Sequence, residues 1–580
     1  MQVVQGLKYR WNIPGVDHQK ALDIASTYNL AIPLAYTLLS RGYDSKEAID
    51  SYLFSSFEKD VASCSLMKDA QKAVDRILYA IDHKEKILIF GDYDVDGITS
   101  SSLMMACLVP LGAQVNFYLP NRLKEGYGLS TKVVNRAADN GYKVIITVDN
   151  GTTAFEQALV AKQRGIDLII TDHHRPHGHL PEAFALVNPH QAGCDYPYKE
   201  FAGVGVSFKV LSLLYEKKGM QLPEKAYELL LLGTIADVVP LTGENRFWVR
   251  HGLRWIHEKE TLSFSVLKSQ GKVTREKVSA TDIGFRITPQ INALGRLEDP
   301  RQGVKFLLGS DVQETHAVGR VLLELNEARK YIERGIFEEI NSCVVKGTIN
   351  LEKEMVIMAG SKEWTPGVIG LVASRLVGAY GRPVFLFHIT PQGKAKGSCR
   401  SIPGLNLFDA LNAHAHLLDQ FGGHAMAAGM ALDHDKLPLL KEGLEKYVAE
   451  RLTAEDLQQK IVCDAPLALS EVGKKIVNDM SLFEPFGAQN SQPLFHLKNV
   501  TLANPPTLLK DEHVKCLVFS EGIIKPVIFF NRPDIYENLR QFPERSFDAA
   551  VQVTENEWQG RSNVELIGLD VALNQEKGTV

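Results

Sequence analysis

The chain has 580 residues, more than one hydrophobic core accommodates, and its length predicts about three or four domains. It carries 64 Lys and Arg against 69 Asp and Glu, a formal net charge of −5. That balance excludes a chain that binds nucleic acid through a strongly basic overall charge, but it is compatible with a local basic groove.

Membrane and secretory classes are also excluded at this stage. No apolar run reaches the ~18 residues that span a bilayer, and the first residues lack the profile of a signal peptide. The seven cysteines form no closely spaced pairs, which is typical of reduced thiols. We therefore expect a cytoplasmic protein with no membrane segment.

The predicted elements divide the chain into five regions, and the fold class they indicate is α/β. The first region has a polar-faced helical pattern, and in the second, apolar runs alternate with helical patterns, as in parallel βαβ units. The third is mixed and ends in a long helical pattern over 312–345. The fourth repeats the α/β alternation, and the fifth has short strands spaced as in a small β-barrel or sandwich. The predicted boundaries are 1–80, 81–240, 241–350, 351–455 and 456–580.

Metal-competent side chains follow the apolar runs of the second region, where strands are predicted to end. The run 87–90 leads into Asp92-Tyr93-Asp94-Val95-Asp96, the run 144–148 into Asp149, and the run 168–171 into Asp172-His173-His174. Asp237, in Gly233-Thr234-Ile235-Ala236-Asp237-Val238-Val239-Pro240, is interpreted as a fourth strand end. Strand ends of an open parallel sheet converge on one crevice. Because carboxylates and imidazoles buried together are costly without a cation, the pattern predicts a metal-dependent enzyme.

The residue types narrow the choice of metal. A calcium-binding EF-hand loop that began at Asp92 would need Glu at its twelfth position, where Leu103 stands, so that class is excluded. Carboxylates with one or two imidazoles favour Mg²⁺ or Mn²⁺ over zinc. Six or seven candidate ligands suit two ions ~3.5–4 Å apart, the arrangement that serves phosphoryl displacement. The alternative is that each acid only caps a helix or lies in a solvated loop.

These four segments, in this order, resemble the phosphoesterase motifs of the DHH family, and the resemblance covers roughly residues 50–575. It implies two α/β lobes around a cleft, a DHH catalytic domain and a DHH-associated domain, joined by the long helix and followed by an oligonucleotide-binding (OB) type of β-barrel. It also implies an enzyme that uses two Mn²⁺ or Mg²⁺ ions to hydrolyse single-stranded DNA from 5′ to 3′ and that releases 5′-mononucleotides. Such an enzyme would act in DNA repair and recombination. A helicase and a single-strand-binding protein are the partners that such a function suggests.

The resemblance also implies roles for individual residues. The expected metal ligands are Asp92, Asp94, Asp96, Asp149, His173 and Asp237, and the expected catalytic residues are Asp94, Asp96, Asp149, His173, His174 and Asp237. Because two consecutive side chains of a strand cannot easily point the same way, one histidine is expected to be a ligand, and the other is expected to face the scissile phosphate or to act indirectly through the ligands. The expected substrate-binding residues are Asn292, Arg296, Ser398, Arg400, Ser401, Gly422, Gly423 and His424. Small residues let backbone N–H groups approach a phosphate, and Arg and His add charge.

Less specific interpretations stay open at this point. The Gly-Gly-His loop is also compatible with a tight turn that carries a solvated histidine, and Arg296 with a surface salt bridge. For the whole chain, one alternative is a DHH phosphodiesterase for short oligonucleotides or cyclic dinucleotides, and another is an inactive DHH scaffold that binds DNA. The length of the chain argues against the first, and its intact acidic motifs argue against the second.

Overall fold

A computed structural model describes residues 2–121, 125–126, 128–176, 178–309, 311–558 and 561–574. The chain divides into two compact units. One unit comprises Ser55–Ile332 with Pro485–Ser491, and the other comprises Met1–Phe54, Glu333–Glu484 and Gln492–Val580. Among the described helices, none combines the length and the apolar character needed to cross a bilayer.

The N-terminal segment begins with two strands and continues with helices. Its elements are β1 (Gln2–Gln5), β2 (Arg10–Ile13), α1 (His18–Tyr28), α2 (Ile32–Ser40) and α3 (Lys46–Phe54). The helical pattern predicted for this region does not cover the strands, because four-residue strands are too short to show a period of their own. Trp11 of β2 is fully buried and packs in one cluster with Cys463, Leu494 and Ala550, so long-range packing holds these strands in place.

The unit that comprises Ser55–Ile332 contains a parallel sheet of five strands. These are β3 (Lys86–Phe90), β4 (Gln114–Tyr118), β5 (Tyr142–Val148), β6 (Asp167–Thr171) and β7 (Ala185–Val187). The strand order is β4-β3-β5-β6-β7, and every pairing is parallel, as the alternation predicts. The chain leaves β3 for β4 on one side and returns to β5 on the other, so the switch point of the sheet lies between β3 and β5.

Helices cover both faces of this sheet and continue beyond it. They are α4 (Phe57–Asp60), α5 (Ala70–Asp82), α6 (Val95–Leu108), α7 (Thr131–Asp139), α8 (Phe155–Gln163), α9 (Gly203–Lys217), α10 (Lys225–Ala236), α11 (Gly243–Glu258), α12 (Leu262–Gln270), α13 (Ala280–Asp282), α14 (Thr288–Leu297) and α15 (Arg301–Leu308). A single π-helical turn, Ile283–Ile287, separates α13 from α14. Helix α6 is buried on nearly all sides, which explains its uninterrupted small and apolar residues.

The predicted long helix is present as α16 (Val312–Val345), a 34-residue helix. Its residues up to Ile332 belong to one unit, and those from Glu333 belong to the other. At ~1.5 Å per residue the helix is ~51 Å long, which is much longer than an ordinary core helix.

A second α/β sheet follows α16. Its elements are β8 (Ile357–Ser361), α17 (Pro366–Tyr380), β9 (Val384–Ile389), β10 (Lys394–Arg400), α18 (Leu407–Ala413), β11 (Gln420–Gly423), β12 (Ala427–Asp433) and α19 (Leu437–Ala449). The order is β11-β12-β10-β9-β8. Only β8 and β9 pair in parallel, while β9, β10, β12 and β11 are antiparallel neighbours.

The C-terminal region contains a closed barrel. Its elements are α20 (Ala454–Leu457), β13 (Lys460–Val462), β14 (Ala465–Pro466), α21 (Lys474–Met480), β15 (Phe495–Leu502), β16 (Thr507–Leu509), β17 (His513–Ser520), β18 (Ile523–Phe529), α22 (Pro533–Gln541), β19 (Phe547–Trp558) and β20 (Arg561–Leu573). Strand β15 pairs with both β19 and β17, which closes the ring β15-β19-β20-β18-β17. Five strands in a ring, with β18 and β20 parallel, form the OB type of barrel that the sequence predicts.

Candidate metal centre and substrate-binding cluster

The expected metal ligands come from four separate segments of one unit. The loop after β3 carries Asp92, Asp94 and Asp96, Asp149 follows β5, and His173 follows β6 by two residues. These are carboxyl ends of adjacent parallel strands, so the topology of the sheet delivers all of them to its switch point.

Asp237 reaches the same place by another route. The sequence interpretation of a fourth strand end is wrong, because Asp237 is the C-terminal cap of helix α10. The apolar run before it is a buried helix, since periodicity cannot distinguish a buried helix from a buried strand. Val238 then adopts φ of 60°, which β-branched residues rarely adopt and which marks a strained turn beside the centre.

His173 lies at the middle of the carboxylates. Its Nε2 atom is 3.1 Å from Asp149 Oδ1, 3.7 Å from Asp237 Oδ2 and 3.9 Å from Asp96 Oδ2. Two groups of potential ligand atoms, with the atoms of each group within 4.8 Å of one another, lie here, and a third group of Asp149, Asp172, His173 and His174 shares a residue with each of them. One consists of Asp96, His173 and Asp237, and the other of Asp92, Asp94 and Asp149. With Asp149 next to His173, this geometry matches two adjacent cation sites with Asp149 between them.

Two of these acids also cap helices, as the less specific interpretation anticipated. Asp94 accepts a hydrogen bond from Gly97 N (3.1 Å) at the start of α6. Asp96 accepts hydrogen bonds from Gly203 N (2.6 Å) and Val204 N (2.8 Å) at the start of α9. These bonds orient the carboxylates, and the positive helix ends stabilise their charge.

The carboxylates nevertheless lie together at a high electrostatic cost. Burial and the neighbouring Asp94 raise the pKa of Asp96 to about 7. Burial and the charges of Asp96 and Asp94 also raise the pKa values of Asp149 and Asp237 well above the ordinary value. A divalent cation would remove this cost by neutralising the charges, and oxygen ligands with one imidazole suit Mn²⁺ or Mg²⁺. The donor set therefore fits the predicted ions.

The two histidines have opposite electrostatic environments. Burial and the charge of His174 lower the pKa of His173 to about 4, so its imidazole is neutral, as a metal ligand must be. His174 Nδ1 lies 2.7 Å from Asp172 Oδ1. Burial opposes protonation of His174, but the hydrogen bond and charge of Asp172 dominate and raise its pKa to about 9. His174 is therefore a cation at neutral pH.

Asp172 is the residue whose role the sequence interpretation missed. It is fully buried, and it accepts hydrogen bonds from Thr152 N (2.9 Å), His173 N (2.7 Å) and His174 N (3.2 Å). Burial alone would raise its pKa, but the hydrogen bond and charge of His174 lower it below the ordinary value. Its oxygens are thus used to position the histidines. The sequence signal that could have identified this role was the position of Asp172 directly before His173 and His174, at the end of an apolar run.

Asn292 and Arg296 belong to the same unit as the carboxylates. Both lie on α14 and are half-buried. A Cβ on Gly295 would collide with the carbonyl oxygen of Tyr93, so the helix packs directly on the loop Asp92–Asp96. Gly295, which lies between Asn292 and Arg296 on this helix, is therefore in contact with the loop that carries the expected ligands.

The remaining substrate-binding candidates form a cluster on the mixed sheet of the other unit. Ser398 and Arg400 share one face of β10, and the Arg400 Nη1 atom donates to Ser398 Oγ (3.2 Å). Gly370 of α17 leaves room for the guanidinium, because a Cβ there would lie 3.1 Å from Arg400 Nη2. Gly422, Gly423 and His424 are exposed at the end of β11.

Two details differ from the expectation for this cluster. Ser401 is buried, and its hydroxyl donates to the carbonyl oxygen of Leu405 (2.7 Å), so it shapes the loop and is not displayed on the surface. Lys396, which the sequence interpretation missed, is exposed and shares the face of Ser398 and Arg400. The period-two alternation along β10 would have revealed it.

Family profiles match three parts of the chain. The DHH family N-terminal domain matches residues 86–234, the DHHA1 domain residues 352–450, and the RecJ OB domain residues 463–570. With the parallel sheet and its carboxylate–histidine cluster, these matches define the class of DHH phosphoesterases.

Relatives of known name narrow this class. The chain is 35% identical to the single-stranded-DNA-specific exonuclease RecJ of Bacillus subtilis, over 98% of this chain and 71% of the relative. It is 32% identical to the enzyme of that name from Escherichia coli, over 91% and 95% respectively. The crystal structure of RecJ from Thermus thermophilus with Mn²⁺ superposes with a TM-score of 0.83 at 27% identity, covering 97% of this chain and 79% of that one. The chain belongs to the RecJ family.

Proposed function

We propose that this protein is a metal-dependent exonuclease that hydrolyses single-stranded DNA. The observation that carries the proposal is the convergence of Asp96, Asp149, His173 and Asp237 within a few ångströms at the switch point of the sheet. Membership of the RecJ family supports DNA as the substrate, since the relatives are named as exonucleases specific for single strands.

The roles proposed for the metal ligands follow from their geometry. Asp92, Asp94 and Asp149 would hold one cation, while Asp96, His173 and Asp237 would hold the other. Bound Mn²⁺ or Mg²⁺ would stabilise the attacking and leaving oxygens of an in-line displacement at phosphorus. The start of α9, whose backbone N–H groups donate to Asp96, holds the carboxylate of Asp96 in place.

His174 is proposed to contact the scissile phosphate. Asp172 holds its Nδ1 and keeps the ring protonated, so Nε2 is the ring atom that can donate to a phosphate oxygen. A charge-assisted hydrogen bond of this kind grows stronger as negative charge develops on the phosphate. The neutral His173 and the cationic His174 thus serve different tasks, although they are adjacent in sequence.

Binding of the DNA strand is assigned to donors that are exposed or half-buried. Arg400, Lys396 and His424 carry or offer positive charge, and Gly422 and Gly423 present backbone without side chains. On the same side of α14, Asn292 and Arg296 are proposed to contact backbone phosphates beside the metal centre. The OB-type barrel is proposed to bind further nucleotides through the outward side chains of β17 and β18, where Phe519 is 41% exposed.

Finer features of the function rest on the family resemblance. We propose hydrolysis from 5′ to 3′, release of 5′-mononucleotides, and a role in DNA repair and recombination with a helicase and a single-strand-binding protein as partners. A cytoplasmic location is proposed because all seven cysteines are free thiols, as expected in a reducing compartment.

The test uses purified protein with Mn²⁺ or Mg²⁺ and DNA labelled at either end. Single strands should be degraded and matched duplexes should not, and a strand labelled at its 5′ end should release a labelled mononucleotide first. Omission of the metal should abolish hydrolysis. Degradation of dinucleotides or cyclic dinucleotides, with long single strands left intact, would replace the proposal by the small-substrate alternative.

A further inference from the structure

An exposed aromatic side chain lies on the same unit as the carboxylate cluster. Phe285 exposes 80% of its surface, whereas Phe is usually among the more buried residue types. Its neighbours Ile283 and Ile287 are fully buried, so the backbone that presents the ring is anchored on both sides. Such a ring has a large apolar face available to a ligand.

The position of Phe285 relates it to the metal centre. It lies in the π-helical turn Ile283–Ile287, and turns of this kind frequently occur at functional sites. A Cβ on Gly284 would lie 3.4 Å from Ile235 Cγ2, so the turn packs against the last turn of α10. Ile235 lies two positions before Asp237, so their Cα atoms are at most about 7.6 Å apart. The turn that carries Phe285 therefore packs against the end of the helix that Asp237 caps.

Basic residues lie close to Phe285 in sequence, and two of them, Arg275 and Arg286, also face the buried Asp282 at 3.3 and 3.8 Å. Lys272, Arg275 and Lys277 are exposed in the preceding loop, and Arg286 is exposed beside Phe285. Arg286 Nη1 donates to the carbonyl oxygen of Lys272 (3.2 Å), which ties this loop to the π turn. From residue 268 to residue 287 the sequence holds five basic and two acidic residues. A local positive surface with an exposed aromatic ring is complementary to a nucleic-acid strand.

We infer that Phe285 stacks on a nucleobase of the bound single strand while Lys272 and Lys277 contact its phosphates. This inference rests on the proposed function, because it extends the DNA path from the metal centre across the same unit. Stacking on an aromatic face tolerates every base, which suits an enzyme that must degrade any sequence. The positive charge favours a polyanion over an apolar protein surface as the occupant.

The test measures affinity for short single strands by fluorescence anisotropy in EDTA, where metal-dependent hydrolysis does not proceed. Phe285→Ala should weaken binding about 5- to 140-fold, the equivalent of ~1–3 kcal/mol for one stacked base. Phe285→Trp should retain or increase affinity. The same measurements on strands that carry one abasic site at successive positions should reveal a position at which the effect of Phe285→Ala disappears.

Tyr79→Ala is the matched control. Tyr79 is 51% exposed on α5, which leads into the amino end of β3, so it lies at the opposite edge of the sheet from the centre. The Tyr79→Ala variant should bind single-stranded DNA with the same affinity as the unaltered protein. Equal affinity of Phe285→Ala and the unaltered protein on all strands would overturn the inference and leave the proposed function standing. Failure of the unaltered protein to bind or degrade single strands would instead overturn the proposed function.

Discussion

The carboxylate cluster and the cluster around Arg400 are both proposed to meet the DNA backbone, yet they are built in opposite ways. In the first, buried acids from four separate segments lie side by side, and the pKa of Asp96 rises to about 7. In the second, the residues belong to one mixed sheet, where Lys396, Gly422, Gly423 and His424 are exposed and Ser398 and Arg400 are half-buried. Carboxylates that repel one another are stabilised by a bound cation, whereas exposed hydrogen-bond donors need only an anionic partner such as a phosphate. Metal affinity should therefore depend on the first cluster, and strand affinity on the second.

The largest effect is expected for Asp149→Ala and Asp237→Ala. Each should lower single-turnover hydrolysis of single strands by at least about 10³-fold, because it removes several kcal/mol of charge stabilisation in the transition state. Calorimetric titration with Mn²⁺ should show weakened metal binding, and circular dichroism should show an unchanged fold. Asp139 is an exposed carboxylate on α7 that pairs with Arg164, and the control variant Asp139→Ala should remain fully active. Near-normal turnover in either centre variant would refute the ligand assignment.

Asp172→Ala should reduce turnover by about 10–100-fold, the usual effect of losing a residue that orients a catalytic or ligating group. The reason is that His174 loses the partner that fixes its ring and keeps it protonated. In Asp172→Asn, NMR titration should show the His174 pKa below its present value of about 9. An unchanged His174 pKa in that variant would contradict the positioning role.

Metal affinity should depend on pH in a direction set by the raised carboxyl pKa values. Below its pKa of about 7, Asp96 in the metal-free protein holds a proton that a cation must displace. Affinity for Mn²⁺ should therefore fall as the pH falls, by about tenfold from pH 8 to pH 6 through Asp96 alone. Calorimetry in two buffers of different ionisation enthalpy would count the released protons. Affinity that does not change with pH would show that the carboxylates are already ionised without metal.

Arg400→Ala tests the other side of the comparison. It should weaken binding of single strands by about tenfold, since it removes a charge-assisted hydrogen bond to phosphate, and it should leave Mn²⁺ affinity unchanged. Arg451 is an exposed arginine stacked on Tyr447, and the control variant Arg451→Ala should bind single-stranded DNA with unaltered affinity. If Arg400→Ala lowered metal affinity as much as strand affinity, the division of labour between the two clusters would be wrong.

The smallest effect is expected in the barrel. Phe519→Ala should weaken binding of long strands by about fivefold, the lower range for loss of one stacked base, and leave dinucleotide hydrolysis unaffected. Phe529 of the neighbouring strand β18 is fully buried and offers no such surface. Comparing the affinities of long and short strands for this variant measures the effect. If Phe519→Ala weakened the binding of dinucleotides by the same factor, Phe519 would lie near the site of hydrolysis and would not contact a distant part of the DNA.

Much of the metal centre could be predicted, because parallel strands bring the residues that follow their apolar runs to the same edge of the sheet. Apolar runs that end in Asp92–Asp96, Asp149 and His173 must bring those residues to one sheet edge, whatever the details of packing. The same reasoning failed for Asp237, whose preceding apolar run is a helix. It also failed for Asp172, because the identity of its hydrogen-bond partners depends on contacts with Thr152 that no spacing reveals.

The sequence by itself determined the order of the domains, the α/β alternation, the residues available as ligands and the class of metal they suit. These follow from short-range patterns and from the chemistry of side chains. Only the tertiary structure decided which oxygens lie beside His173, that the start of α9 holds Asp96, and that the histidines differ in charge. It also decided that β1 and β2 pack with the barrel and that Phe285 is exposed. Each of these depends on burial and on contacts between distant segments, which local sequence does not encode.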